Sequence, residues 1–81
     1  YSHRGRYLVR LEQFQQGIQD LNRGIAEAPD AAAFLERGFA YGQIGNFPQA
    51  IDDLTNSIRL DSKVARAHFL RGEAHKRLGQ W

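Results

Sequence analysis

Between residues 31 and 60 the apolar and small positions recur at helical spacing, in two sets. Phe34, Gly38, Tyr41 and Gly45 form the first; Ala50, Ile51, Leu54 and Ile58 form the second. Steps of three and four residues describe one face of a helix. The segment Gly45-Asn46-Phe47-Pro48-Gln49 interrupts the pattern and reads as a turn. Gly45 suits the left-handed residue that ends a helix, Asn46 an N-cap, Pro48 a first turn, and Gln49 a side chain reaching back.

The same layout occurs elsewhere in the chain. Phe14, Gly17, Ile18, Asp20, Leu21 and Ile25 align in order and at constant offset with Phe47, Ala50, Ile51, Asp53, Leu54 and Ile58. An Arg-Gly pair stands at Arg4-Gly5, Arg37-Gly38 and Arg71-Gly72, so the glycines recur at a nearly constant interval. The pattern predicts helices over 1–11, 14–28, 31–44, 47–60 and 64–79, with no competing strand. It divides the chain into a first unit at 1–30, a second at 31–63 and the first helix of a third at 64–81. Short connections predict antiparallel neighbours. The expected fold class is therefore all-α, with about five helices in helix-turn-helix repeats. A chain that starts at Tyr1 and holds no methionine reads as an excerpt of a longer protein.

These repeats resemble the tetratricopeptide repeat, a helix-turn-helix unit of about 34 residues with small and aromatic residues at set positions. The second unit carries the pattern in Phe34, Gly38, Tyr41, Ala50 and Leu54, with Ser62 in the proline slot. The first carries it in Tyr1, Gly5, Leu8, Gly17, Leu21 and Pro29, and the third in His68, Gly72 and His75. The resemblance implies an α-solenoid with a right-handed superhelix and a non-catalytic scaffold for protein–protein interaction. It also implies that the first helix of each unit lines a concave groove.

Packing accounts for the small residues. Gly5 is expected to face Gly17 and Gly24 across a first hairpin, and Gly38 to face Ala50 and Ser57 across a second, with Gly72 in the equivalent place. A large side chain at such a contact opens a cavity costing kilocalories. On a helical wheel each arginine lies 100° from its glycine, on the side where the family's stacking brings Asp20 or Asp53. Ion pairs Arg4–Asp20 and Arg37–Asp53 follow as expectations, and the counterpart for Arg71 falls in a helix beyond Trp81. The alternative is that the arginines reach out to solvent.

The groove implied by the family would present Arg6, Val9 and Arg10 from the first unit, Leu35, Phe39 and Gln43 from the second, and Arg66, Phe69, Glu73, Lys76 and Arg77 from the third. Leu35, Phe39 and Phe69 would form an apolar strip among basic side chains, unless neighbouring repeats cover the two phenylalanines. Charge sharpens this picture. Residues 1–11 carry +3, residues 12–61 carry −5 and residues 62–81 carry +4. A basic trough with an apolar strip suits a peptide with acidic flanks and apolar anchors.

Other functions fit less well. The slots that hold a chaperone's C-terminal carboxylate in some family members contain Ser2, Arg6, Glu36, Arg66 and Leu70, where only Arg66 has the right character and Glu36 repels. RNA binding lacks a continuous aromatic–basic stripe. Self-association through the terminal helix, where His68, Ala74, His75, Leu78 and Trp81 stand, is a further alternative. No cysteine is present, and His68 and His75, two helical turns apart, sit in aromatic slots rather than at metal-ligand spacing. Neighbouring Asp52 and Asp53 point 100° apart and make a poor acid–base pair. No catalytic motif, metal site or cofactor is expected. No apolar run is long enough to span a membrane, and a soluble, cytoplasmic chain is favoured with the compartment left open.

Overall fold

The computed structural model describes residues 2–79, with side chains from Leu11 onward. Four helices follow one another: α1 (Ser2–Glu27), α2 (Ala31–Gln43), α3 (Phe47–Leu60) and α4 (Ala65–Leu78). No strand occurs among the described residues. Sequential helices pack on one another, α1 on α2, α2 on α3 and α3 on α4.

The turn between α2 and α3 has a local cause. Gly45 adopts φ +84°, a conformation that glycine alone enters at little cost. The Gly45 amide donates to the Gly42 carbonyl at 3.2 Å and the Asn46 amide to the Tyr41 carbonyl at 2.9 Å. This paired closure is the Schellman arrangement. Pro48 then lies in the first turn of α3, where its missing N–H is harmless. Asn46 occupies the cap position, but its side chain makes no capping bond, so the backbone rather than the predicted amide closes this turn. At the start of α2, Asp30 accepts from the Ala33 amide at 2.7 Å, a true side-chain cap.

The first unit differs from expectation. Repeat register predicts separate helices at 1–11 and 14–28; the structure instead runs one helix through both, which reduces five helices to four. In that register, Gly45, Asn46 and Pro48 correspond to Glu12, Gln13 and Gln15. All three are good helix formers, so nothing ends the helix there. Residues 5 and 17 therefore lie about 18 Å apart along one axis, and the expected contact of Gly5 with Gly17 and Gly24 does not form. Positions 4 and 20 are about 24 Å apart for the same reason, too far for an intrachain Arg4–Asp20 pair. The Arg4 side chain lies outside the described residues.

The core is built largely of small side chains. Ala40, Ala50, Ala67 and Ala74 are buried with Ile18 and Leu54. Gly38 lets α2 and α3 meet closely: a Cβ there would stand 2.9 Å from Leu54 Cγ and 3.2 Å from the Ala50 carbonyl oxygen. Ser57, fully buried, does not face Gly38 as expected; its hydroxyl donates to the Ala31 carbonyl at 2.8 Å, two turns nearer the start of α2. Gly17, Gly24 and Gly72 have nothing within 4 Å of a built Cβ, so within one molecule they are not contact points.

Candidate functional site

Arg37 stands where three helices converge. Its Nε donates to Asp53 Oδ2 at 2.8 Å and its Nη2 to Asp53 Oδ1 at 2.7 Å. Its Nη1 donates to Asn22 Oδ1 at 2.8 Å. One guanidinium thus ties α2 to α3 by a bidentate fork and to α1 by a third bond. The Asp53 side chain is only 3% exposed. Such a carboxylate needs its partner, and removing one member of a buried pair typically costs about 3–5 kcal/mol. The hydrogen bond to Asp53 raises the Arg37 pKa above the ordinary arginine value, against desolvation. A raised pKa gives stability that is complete below the unfolded value and lost only as pH climbs past it. Arg37 therefore stays charged through the whole neutral range.

A second cluster lies on the side of α2 and α4. Phe39 and Phe14 pack in a T-shaped pair, ring centroids 6.3 Å apart and planes at 75°. The Arg66 guanidinium carbon stands 5.2 Å from the same ring's centroid. Phe39 is half-buried and contacts both an aromatic ring and a cation, each contact favourable. The three residues expected to form an apolar strip are therefore unequally exposed. Leu35 is also half-buried, whereas Phe69 is 65% exposed.

Beside Phe39 a pocket of about 180 Å³ opens between α2, α3 and α4. Gly38, Gly42, Ala50 and Leu54 border it with the rings of Phe39 and Phe47, and Leu70 and Ala74 face them from α4. Gln43, Glu73 and Arg77 supply polar groups. The repeat register explains this space. At the α1–α2 junction, Phe14 meets Phe39; one repeat later the corresponding pair is Phe47 and Glu73. A carboxylate stands where the earlier junction carries a ring.

Of the groove residues expected from the sequence, Phe39, Gln43, Glu73 and Arg77 line the pocket. Arg66, Phe69 and Lys76 are exposed on α4 without lining it. The side chains of Arg6, Val9 and Arg10 lie outside the described residues. Sequence reasoning missed Phe47 and Leu70 as lining residues; the replacement of a phenylalanine by Glu73 in the repeat register was the available signal. His68 and His75 are exposed, and a His68 ring nitrogen lies 3.1 Å from the Ser62 carbonyl oxygen. Among the described residues, no three His, Asp or Glu side chains gather as a metal site, and no helix is long and apolar enough to cross a membrane.

Antiparallel helices that repeat at a near-constant interval, joined by a glycine-closed turn, make this an α-helical repeat protein. A family model described as Tetratricopeptide repeat matches residues 35–81, more than half of the chain, and the chain belongs to that family. Such repeats are in general protein–protein interaction modules. Neither a curated protein nor a solved structure matches the chain.

Proposed function

We propose that this chain is a non-catalytic module that holds a peptide across α2 and α4, taking one apolar side chain and one or more acidic groups. The pocket carries this reading. Its glycine and alanine border admits a side chain, and Phe39, Phe47 and Leu70 offer it apolar surface. Arg77 at the pocket and exposed Arg66 and Lys76 favour carboxylates beside that anchor. Burial of an apolar anchor supplies affinity, while the basic rim sets encounter and orientation. The division into units at 1–30, 31–63 and 64–81 belongs to the same reading and is supported by the recurrence of the Arg-Gly pairs. Arg6, Val9 and Arg10 leave it, because α1 runs on as one helix and the pocket is bordered by residues of α2, α3 and α4.

A displayed library of random peptides tests it. Selection on the chain is expected to enrich sequences pairing Asp or Glu with a large apolar residue. Arg77→Glu and Phe39→Ala are expected to weaken the selected peptides at least about tenfold. Peptides without acidic residues, or binding indifferent to both substitutions, would reject the reading. The chaperone-carboxylate function gains nothing here: Arg66 lies over Phe39, Leu70 borders the pocket and Glu36 is exposed. RNA binding would be revived by strongly salt-dependent retention of single-stranded RNA.

Self-association through α4 is a second reading, favoured by a specific observation. Phe69 and Leu78 are 65% and 40% exposed, and His68 and His75 are also open to solvent.

A further inference from the structure

Glu73 is the repeat counterpart of Phe39, and it changes what its partner ring meets. Phe14 has Phe39 as an aromatic partner, whereas the corresponding Phe47 has Glu73. Phe47 and Glu73 both border the pocket between α2, α3 and α4. The Glu73 side chain is half-buried. Among the described residues it enters neither an ion pair nor a side-chain hydrogen bond, although Arg77 stands one turn along α4. An acceptor without a protein partner therefore stands at the wall of an otherwise largely apolar space.

Size and lining say what a ligand must bring. An apolar cavity of about 150 Å³ takes up benzene. The pocket, at about 180 Å³, has room for one six-membered ring with a single substituent. Phe39 and Phe47 offer such a ring edge-to-face contact. An anchor with no donor would strip Glu73 of solvent and return nothing, a loss that a hydroxyl avoids. A carboxylate on the anchor would be repelled by Glu73. An ammonium or guanidinium would meet an apolar lining with Arg77 beside it. An indole would bring a second ring into the same space.

We propose that the pocket selects tyrosine as the anchor of the bound peptide, with its ring against Phe39 and Phe47 and its hydroxyl donating to the Glu73 carboxylate. The proposal rests on the peptide-groove reading and names the side chain that this reading describes only as apolar. A phenol donating to a carboxylate makes a charge-assisted hydrogen bond, stronger than one between neutral groups. Glu73 thereby sets which anchor is accepted, while Arg77 serves the acidic groups beside it. The two charges of α4 thus have separate tasks, one inside the pocket and one at its rim.

Selection of displayed peptides on the full chain, followed by titration of synthetic copies, is the test, with circular dichroism checking each variant's fold. Tyrosine is expected at the anchor position of the enriched peptides. Replacing it by phenylalanine should weaken binding to the unaltered chain at least about tenfold. On Glu73→Ala, which has no acceptor to satisfy, the same replacement should change binding by less than about twofold. Glu73→Gln should keep part of the preference, because its amide oxygen still accepts. Enriched peptides that pair acidic residues with phenylalanine or leucine would overturn the tyrosine assignment and leave the groove reading standing. An equal loss on the unaltered chain and on Glu73→Ala would overturn the part given to Glu73. Selection that enriches no pairing of acidic and apolar residues would remove the groove reading and the proposal together.

Discussion

Identical residues carry different loads depending on what stands opposite. Gly38 and Gly72 share a place in the repeat, but a Cβ at Gly38 meets Leu54 at 2.9 Å while one at Gly72 meets nothing within 4 Å. Alanine raises helix propensity by about 1 kcal/mol over glycine, and overpacking typically costs about 1–3 kcal/mol. The contact outweighs the propensity at Gly38, and propensity acts alone at Gly72. Thermal melts at low concentration should therefore show Gly38→Ala lowering stability by about 1 kcal/mol and Gly72→Ala raising it by about 0.5–1 kcal/mol. Equal shifts of one sign would contradict the difference. Repeat register alone assigns both glycines to helix contacts, because it reports which positions are equivalent and not how closely each is approached.

At the scale of the element, much of α2 and α3 was legible in the sequence because their boundaries are chemical, while α4 followed from its place in the repeat. Asp30 caps α2, Gly45 ends it, and Pro48 opens α3. The spacing that sets Arg37 beside Gly38 also aims it at Asp53, so that fork follows from helical register. The first turn was misjudged for the converse reason. Homology between the units suggests a break at residues 12–13, but Glu12 and Gln13 contain no signal that would make one. The pocket was hidden too, since it depends on what Glu73 does not fill. Grafting the second turn onto the first, as Glu12→Gly, Gln13→Asn and Gln15→Pro, should bend α1 into a hairpin. Spin labels at positions 4 and 20 should then move from about 24 Å of helix rise to well under about 20 Å. An unchanged separation would show that packing, and not local sequence, keeps α1 straight.

Across the described residues, α1 and α4 are the first and last of four helices, and the closest packing lies in the hairpin between them. The groove reading is separate, since its pocket lies among α2, α3 and α4 and does not include α1. Peptide capture and self-association through α4 should thus be lost independently, by Phe39→Ala in one case and Leu78→Glu in the other.

The third bond of the Arg37 guanidinium, to Asn22, sets how the chain comes apart. In a linear array, stability is a sum of each unit's own term and a nearest-neighbour term. The fork to Asp53 lies inside one unit, whereas the bond to Asn22 joins α1 to the next and adds to the neighbour term. With that bond intact, amides in residues 14–27 and in α2 should exchange with solvent deuterium in a shared opening. Asn22→Ala should let 14–27 open on its own, accelerating its exchange while α2 and α3 stay protected. Uniform acceleration across all three helices would assign the bond to overall stability. A single side-chain amide thus adds to the term that makes neighbouring units open together.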